Sequence, residues 1–409
     1  MSVNCRFCHT PLTHSFVDLG MSPLSNAYVK AEQLNDEEVF YPLHAYVCSQ
    51  CLLVQIAAFS APEHIFKDYA YFSSFSSSWL AHAKDFVTQV IPKLQLNAQS
   101  HVVEIASNDG YLLQYFPEDF QRLGIEPAEN VAEVARQKGI PTRAVFFGTQ
   151  TAQNLREEGI HADLIVANNV LAHVPDLNDF VAGLALLITP QGTISIEVPH
   201  LLHLYTQNQF DTIYHEHYSY FSLLALQQIF AAHQLSIYDV EHLSTHGGSL
   251  RLSITPTSNR SVTPRPSVAE ALQSEKATGL DQLQTYLDFA ARVKALKLET
   301  WQFFIDLQRQ GKRIAAYGAP AKGNTFLNYC GIGRELLPFC VDKSPHKQGL
   351  YLPGSHIPIL APEALYADQP DYILILPWNL QAEISEQLAT CREWGAQFVT
   401  AIPTLTVHP

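Results

Sequence analysis

The stretch His101-Val-Val-Glu104-Ile-Ala106-Ser-Asn108-Asp-Gly110-Tyr-Leu-Leu decides the fold of this chain. Its first residues predict a buried strand, its small residues predict a tight turn, and its last residues predict the start of a helix. In that arrangement the backbone can approach a ligand above the carboxyl end of the strand. The stretch has a single glycine, so it lacks the G-x-G-x-x-G pattern of dinucleotide-binding turns.

Strands and helices alternate through the residues that follow. The predicted elements are a strand at 122–126, a helix opened by Pro127, a strand after Pro141, a strand at 163–169, a helix at 177–188 and a strand at 192–198. This alternation predicts a parallel, doubly wound sheet with its site at the carboxyl ends of the strands. Glu126 ends one strand, where a carboxylate can accept both hydroxyls of a ribose, and Asn168-Asn169 end another.

Four of the seven cysteines form two Cys-x-x-Cys pairs: Cys5 with Cys8, and Cys48 with Cys51. Two such pairs supply four thiolates for a closed tetrahedral zinc site, which has no open position for a substrate. We therefore expect structural zinc rather than redox or catalytic chemistry. His9 or His14, close to the first pair, could replace one of the cysteines as a ligand.

The length and composition of the chain indicate several domains. Its 409 residues exceed a single ordinary core, so we expect a zinc-binding domain at 1–60, a central α/β domain at 61–262 and a second α/β domain at 263–409. The net charge is −14 and the lysines and arginines are scattered, which argues against a nucleic acid as partner. We find no targeting segment and no apolar run of about 18 residues, so we expect a cytoplasmic protein without a membrane partner.

A second informative stretch, Tyr214-His215-Glu216-His217-Tyr218, crowds two imidazoles and a carboxylate between phenols. Histidine titrates near neutrality, and a glutamate one position away can orient its ring, so the stretch contains a candidate general base and its partner. Two other interpretations stay open, a polar aromatic loop at a sheet edge and a metal site. His215 and His217 are two positions apart, so they cannot both face one ligand from a helix.

The last third of the chain repeats the theme of strand, turn and helix. After a proline-containing linker at 263–266, residues 267–310 carry apolar residues at helical spacing, and Gly279 predicts a break into two helices. The segment Gly318-Ala-Pro-Ala-Lys-Gly-Asn-Thr325 then forms a second small-residue turn before a helix. Helix-start amides with Lys322 and Lys347 fit a pyrophosphate, although ordinary surface lysines give the same pattern.

Several motifs together resemble the S-adenosylmethionine-dependent C-methyltransferases that act on nucleotide-linked keto-deoxysugars, the TylC-type sugar C3-methyltransferases. The likeness spans nearly the whole chain, and its motifs are Cys5-Arg-Phe-Cys8, Tyr71-Phe-Ser-Ser74, the loop at Glu104, Asn168-Asn-Val-Leu-Ala-His-Val174, Tyr214-His-Glu-His217, His246-Gly-Gly-Ser-Leu-Arg251 and Gly318-Ala-Pro-Ala-Lys-Gly-Asn-Thr325. Ala106 departs from the pattern, because the family more often has glycine there. We expect its methyl group to be tolerated beside the methionine part of the cofactor.

The resemblance implies a role for each matching residue. S-adenosylmethionine would be held by Glu104, Ala106, Asn108, Gly110, Glu126, Asn168 and Asn169. The catalytic set would be His217 as general base, with Glu216 and Tyr214 beside it, and His173 and Tyr71 facing the sugar. The nucleotide-linked 4-keto-deoxysugar would be seated by Lys322, Asn324, Thr325, Lys347 and Tyr351 of the second α/β domain.

The implied reaction needs a carbon nucleophile at C3 of the sugar. A 4-keto group acidifies the neighbouring C3–H bond, so a base near neutrality can form an enolate, and Tyr214 or a protonated His173 can stabilise its oxygen. Three alternatives stay open. They are a nicotinamide-dependent oxidoreductase or epimerase, against which the missing glycine pattern argues, a non-catalytic zinc-knuckle adaptor, and an O- or N-methyltransferase.

Overall fold

The computed structural model describes residues 3–58 and 72–408. Tyr71, which the resemblance places beside the sugar, lies outside the described residues. The described strands form three sheets, of four, seven and six strands. No described helix is both long and apolar enough to cross a bilayer. The cytoplasmic location stays a prediction.

The elements are numbered in chain order. The strands are β1 His14–Ser22, β2 Tyr41–Val47, β3 Val54–Ile56, β4 His101–Ile105, β5 Gln121–Ile125, β6 Thr142–Arg143, β7 Ala162–Asn168, β8 Ile188–Pro199, β9 Ser219–Tyr220, β10 Leu235–Leu243, β11 Ser249–Pro256, β12 Ile314–Tyr317, β13 Cys340–Val341, β14 Ile359–Leu360, β15 Tyr372–Ile375, β16 Gln397–Thr400 and β17 Thr406–His408. The α-helices are α1 Ser77–Leu94, α2 Glu129–Gln137, α3 Thr149–Glu157, α4 Leu177–Leu187, α5 Leu201–Thr206, α6 Leu223–Ala232, α7 Pro266–Ala277, α8 Leu283–Leu287, α9 Phe289–Arg309, α10 Ala321–Cys330, α11 Glu363–Asp368 and α12 Gln381–Gln387.

The seven-stranded sheet confirms the predicted doubly wound fold. Its strand order is β10-β11-β8-β7-β4-β5-β6, and β8, β7, β4, β5 and β6 run parallel. Successive residues of β4 face opposite sides of a sheet that is covered on both, so Val102 packs in the core with α1, and Val103 in the core with α4. The carboxyl ends of β4, β5 and β7 therefore meet at one edge.

Two predicted helical features are wrong. Gly110 is followed by turns and a 3-10 helix at Leu113–Tyr115, not by an α-helix. Only residues 111–116 separate Gly110 from Pro117, which lacks an amide hydrogen and disfavours a helical residue before it. In the last third, the residues after the linker form three helices rather than two, because Asp288 separates α8 from α9 in addition to the turn at Gly279.

The Tyr214–Tyr218 stretch runs into the sheet of the cysteine-containing domain. Strand β9 follows that stretch and is the fourth strand of the N-terminal sheet, whose order is β1-β2-β3-β9. It pairs antiparallel with β3, with Tyr220 opposite Val54. Because β3 begins three residues after Cys51, the second Cys-x-x-Cys pair and the histidine-rich stretch are joined through one ladder of backbone hydrogen bonds.

The six-stranded sheet forms the second α/β unit. Its order is β14-β13-β12-β15-β16-β17, and β17 alone of these described strands runs antiparallel to its neighbour. A core shared with the N-terminal sheet fixes its position, as Phe289 of α9 stacks on Phe16 of β1 with ring centroids 4.4 Å apart. This packing brings α10 against the histidine-rich stretch Tyr214–Tyr218. The Thr325 hydroxyl donates to the carbonyl of Ile213, just before that stretch, at 3.1 Å.

Candidate active site

His217 lies half-buried with both ring nitrogens engaged. Its Nδ1 is 3.0 Å from the carbonyl oxygen of Thr212, and its Nε2 is 2.8 Å from the hydroxyl of Tyr214. A carbonyl only accepts hydrogen bonds, so Nδ1 carries the proton and Nε2 presents its lone pair. The main chain therefore fixes the tautomer that a general base requires.

A second imidazole, that of His173, lies beside the first. The two ring centroids are 4.7 Å apart in an edge-to-face arrangement. Burial lowers the pKa of His173 to about 4, and burial together with His173 lowers the pKa of His217 well below its usual value. Both rings are therefore neutral at pH 7, so Nε2 of His217 is able to accept a proton, while the protonated form of His173, one of the two predicted oxyanion donors, is not populated at that pH.

Glu216 does not orient the His217 ring. Its Oε1 accepts a hydrogen bond from Nδ2 of Asn26 at 2.7 Å, and burial raises its pKa. Residues 214–217 form a turn, in which the amide of His217 donates to the carbonyl of Tyr214 at 2.9 Å. The carboxylate and the imidazole therefore point in different directions, and the Thr212 carbonyl takes the place of the predicted carboxylate partner. His215 likewise faces away, with Nε2 3.3 Å from the carbonyl of Pro42.

Glu126 anchors the turn after β4. Its two carboxylate oxygens accept the backbone amides of Asn108 and Ala128 at 3.0 and 2.9 Å. Asn108 in turn accepts the amide of Ser73 on its side-chain oxygen at 2.8 Å, which ties the Tyr-Phe-Ser-Ser segment to this turn. Glu126 and Asn108 thus lie together at the carboxyl ends of β4 and β5, where a nucleoside binds in wound sheets.

Buried polar atoms around this turn fit a ligand that donates hydrogen bonds. Among the described residues, the Oγ of Ser107 and the side-chain oxygens of Asn168 and Asn169 are buried without a hydrogen-bond partner. Such atoms cost free energy unless a partner arrives. Burial also raises the pKa of Glu104 well above its usual value. Hydroxyl and amino groups of a nucleoside would satisfy these acceptors.

Ala106 and Gly110 both have positive φ in this turn, but the space around the two positions differs. Ala106 has φ +55°, a left-handed conformation that favours glycine, so its methyl group carries a strain of about 1 kcal/mol. Gly110 has φ +77°, and a Cβ there would lie 2.3 Å from Cδ1 of Ile140. Gly110 therefore permits close packing of the turn onto the chain after α2, and the predicted cofactor contact of Gly110 stays a prediction.

Asn324 and Thr325, predicted to seat the sugar nucleotide, are buried between the domains. Asn324 donates from Nδ2 to the carbonyl of Ser25 at 2.6 Å, and Thr325 donates to Ile213. Both side chains are about 1% exposed. They hold the start of α10 against the other domains, which leaves the backbone at this helix start as the part able to contact a phosphate.

The two lysines of the predicted set have different partners. Lys322 donates to the side-chain oxygen of Asn379 at 2.6 Å, and Lys347 donates to the carbonyl of Ala319 at 2.8 Å. Tyr351 pairs through its backbone with the N-terminal domain. Of the two lysines, Lys322 is the one whose charge contributes to the low pKa of His217.

Two aromatic features beside the site escaped the sequence reasoning. Trp79 stacks on Tyr111 with centroids 5.9 Å apart and meets the ring of His246 edge-on at 5.6 Å. The indole of Trp378 donates to Asp211 at 2.7 Å, and burial raises the pKa of Asp211 to about 6. The position of Trp79 just after the Tyr-Phe-Ser-Ser motif was a usable signal, whereas no signal in the sequence links Trp378 to Asp211, which lies 167 residues earlier.

The four cysteine thiols form one cluster. The Sγ atoms lie within 4.8 Å of one another, with 3.6 Å between Cys5 and Cys51 and 3.4 Å between Cys8 and Cys48. A tetrahedral zinc site with Zn–S bonds of about 2.3 Å requires sulfur atoms about 3.8 Å apart, so the cluster fits the ion. The described cluster contains no histidine, and Gln55 donates to Cys5 Sγ at 3.2 Å, as outer-shell groups of metal sites do.

Comparison with known proteins identifies the family of the chain. C-methyltransferase NovU from Streptomyces niveus is 34% identical over 400 residues, which cover 98% of this chain and 95% of NovU. The chain belongs to this C-methyltransferase family. Three family models also match, described as "Putative zinc binding domain" at 5–66, "Methyltransferase domain" at 79–240 and "C-methyltransferase C-terminal domain" at 244–403. The resemblance of the sequence motifs to C-methyltransferases is thereby confirmed.

Solved structures give a weaker likeness. Magnesium protoporphyrin IX methyltransferase from Synechocystis, solved with bound S-adenosylmethionine, is 15% identical with a TM-score of 0.35, over 49% of this chain and 100% of that one. An S-adenosylmethionine-dependent methyltransferase from Clostridium acetobutylicum is 12% identical with a TM-score of 0.36, over 43% and 92% of the two chains. The assignment to the C-methyltransferases therefore rests on NovU and the three family models.

Proposed function

We propose that this C-methyltransferase transfers the methyl group of S-adenosylmethionine to C3 of a nucleotide-linked 4-keto-deoxysugar, with His217 as the general base. One observation carries the proposal: His217 is a neutral imidazole whose Nδ1–H is held by the Thr212 carbonyl, so that Nε2 is free to take a proton once Tyr214 turns away. O- and N-methyl transfer depend less on a general base, because their acceptors already carry lone pairs.

The proposed reaction begins with a proton transfer from the sugar to His217. Nε2 of His217 takes the C3 proton, and the electron pair of the C–H bond moves into the enolate of the 4-keto group. The Tyr214 hydroxyl, released from Nε2, donates to the enolate oxygen. General-base catalysis contributes roughly 10²–10⁴-fold, and an oxyanion donor about 10²–10³-fold. C3 then bonds to the methyl carbon as the carbon–sulfur bond breaks.

We propose that the methyl donor binds at the carboxyl ends of β4, β5 and β7. When bound, S-adenosylmethionine supplies an electrophilic methyl group on a sulfonium. Glu126 would accept the ribose hydroxyls with lone pairs that the Asn108 and Ala128 amides leave available. The unpartnered side-chain oxygens of Asn168 and Asn169 would accept hydrogen bonds from the rest of the donor. These buried acceptor atoms, which have no hydrogen-bond partner among the described residues, support the proposed position of the donor.

We propose that the sugar nucleotide binds to the second α/β unit. The start of α10 and Lys322 lie next to the histidine-rich stretch, so a pyrophosphate there would direct the sugar towards His217. We also propose domain boundaries near residues 60 and 262, with zinc confined to a structural role in the first domain because four thiolates complete its coordination.

Two measurements test the reaction. Incubation with S-adenosylmethionine and a panel of 4-keto nucleotide sugars should give one product heavier by a methyl group, whose position is read by NMR. In deuterated water the enzyme should exchange the C3 proton of that sugar. Methylation without C3 exchange in any substrate would indicate O- or N-transfer, and nicotinamide nucleotides released from the denatured protein would indicate an oxidoreductase.

A further inference from the structure

A group of three histidines lies outside the candidate active site. His200, His203 and His242 each offer one ring nitrogen, and the three nitrogens lie within 4.8 Å of one another. His200 directly precedes α5 and His203 lies within it, so a spacing of three residues puts both rings on one side of the helix. His242, on β10, completes the group.

His200 already has the outer-shell partner of a metal ligand. Its Nε2 donates to Oε1 of Glu275 at 2.7 Å, and both side chains are fully buried. Glu275 is held by the backbone amides of Leu223 and Leu224 at the start of α6. Histidines that bind metals almost always donate their other N–H to a carboxylate or carbonyl, which fixes the tautomer and raises the basicity of the ligating nitrogen.

The second ring nitrogen of His200, Nδ1, makes no hydrogen bond to the described residues. This nitrogen is also buried. A buried lone pair without a donor costs free energy, and a metal ion would satisfy it while the ring donates to Glu275.

We propose that His200, His203 and His242 form a second metal site, separate from the four cysteines, for a divalent transition ion of the zinc class. Three imidazoles suit Zn²⁺, Ni²⁺ or Cu²⁺, and they leave one coordination position for water. Tetrahedral coordination at Zn–N distances of about 2.1 Å requires the three nitrogens to lie about 3.4 Å from one another. Rotation of the half-buried His203 ring and the exposed His242 ring would bring them to that distance.

The site would join α5 to the hairpin that carries His246. His203 packs against Gly248, where a Cβ would lie 2.4 Å from the His203 ring, and His242 precedes the turn at Thr245–Gly247. Nε2 of His246 is 3.3 Å from Nδ2 of Asn169 at the predicted donor side. The ion would therefore stabilise a turn that borders the methyltransferase site without taking part in its chemistry.

Zinc binding by untagged protein tests the proposal. Protein carrying one zinc equivalent at the cysteines is titrated with Zn²⁺ against a chromophoric chelator, and thermal unfolding is followed in parallel. We expect a second equivalent in the wild type and a higher melting temperature on its uptake. His203→Gln and His242→Gln should weaken that second equivalent at least tenfold and abolish the thermal shift.

The control is His161→Gln, which changes an exposed histidine just before the amino end of β7, away from the three histidines. It should bind as the wild type does. Because His242 is exposed, His242→Gln should fold, and circular dichroism verifies this. The proposal fails if the wild type takes up no second equivalent, or if the second equivalent persists undiminished in both His203→Gln and His242→Gln.

Discussion

The hydroxyl of Tyr214 lies 2.8 Å from Nε2 of His217, on the nitrogen that the Thr212 carbonyl leaves unprotonated. The phenol therefore donates to the imidazole of His217. In the proposed reaction, a substrate whose C3–H reaches Nε2 displaces the phenol, and the displaced hydroxyl is then available for the enolate oxygen. One pair of residues can supply both the base and the donor, which makes their separate removal informative.

We expect His217→Asn to lose at least about 10²-fold in turnover, because the amide cannot accept the C3 proton. The affinity for S-adenosylmethionine, measured by calorimetry, should stay within about threefold of the wild type, since the donor residues lie at the ends of other strands. A matched control is His233→Asn, which changes a histidine bonded to Asn178. Unaltered turnover in His217→Asn would remove this residue as the base.

Tyr214→Phe removes the oxyanion donor while keeping the ring. We expect kcat to fall by about 10²–10³-fold with KM little changed, because the lost interaction forms only as the enolate develops. Proton exchange at C3 in deuterated water should slow by a similar factor. An unchanged exchange rate with slower methylation would instead place Tyr214 in the methyl-transfer step.

The pH profile follows from the low pKa of His217. Protonation of Nε2 removes the proposed base, and burial holds the pKa of His217 well below its usual value of 6.5. The acid limb of kcat/KM should therefore lie below pH 6.5. Initial rates between pH 5 and 8 check this, and a limb at or above pH 6.5 would show a histidine exposed to water in the working enzyme.

His173 predicts a matching dependence of stability. Its pKa is about 4 in the folded protein and 6.5 for an ordinary histidine, so between these values the unfolded chain binds more protons. This contribution to stability is fully present above pH 6.5 and is lost as the pH falls towards 4. Urea unfolding at pH 7 and pH 5 should show a smaller decrease in the midpoint for His173→Gln than for the wild type.

Cys48→Ser should remove one equivalent of zinc and lower the melting temperature of the protein, because a structural site with three thiolates binds the ion far more weakly. Cys391→Ala is the control, since Cys391 is buried in the second α/β unit away from the cluster. Elemental analysis should find the same zinc content in Cys391→Ala as in the wild type. Full zinc content in Cys48→Ser would contradict the assignment.

Gly110→Ala and Gly139→Ala form a matched pair. Both glycines have φ +77°, but a Cβ meets Ile140 at 2.3 Å at the first position and nothing within 4 Å at the second. We expect Gly139→Ala to cost about 1 kcal/mol from backbone strain, and Gly110→Ala about 2–4 kcal/mol because overpacking adds to it. Equal urea midpoints for the two variants would show that the turn at Gly110 accommodates the added methyl group without a further loss of stability.

The sequence predicts the central sheet well because its strands are short apolar runs between turn residues. Asp163 to Asn169 illustrates this, since the predicted strand differs from β7 by one residue at each end. The predicted helix after Gly110 is absent because Pro117 disfavours a helical conformation in the residue before it and leaves room only for a 3-10 turn. Periodicity identifies elements that bury one face, but it gives little guidance where a few residues turn before a proline.

The site was predictable in its residue types but not in its contacts. The composition of the stretch at Tyr214–Tyr218 indicated a base with a partner, and Tyr214 does contact His217. The partner of Nδ1 is the main chain of Thr212, which no side-chain pattern reveals. Glu216, adjacent in sequence, bonds Asn26 of another domain, and such long-range pairing depends on how the domains pack.

Strand β9 is hydrogen-bonded to β3, which begins three residues after Cys51, and His217 lies two residues before β9. In the proposed reaction, a zinc ion that does not touch the substrate thus helps to set where the proton acceptor lies. Zinc starvation should reduce turnover before it weakens donor binding, and the output of the enzyme in a cell would then follow the metal supply.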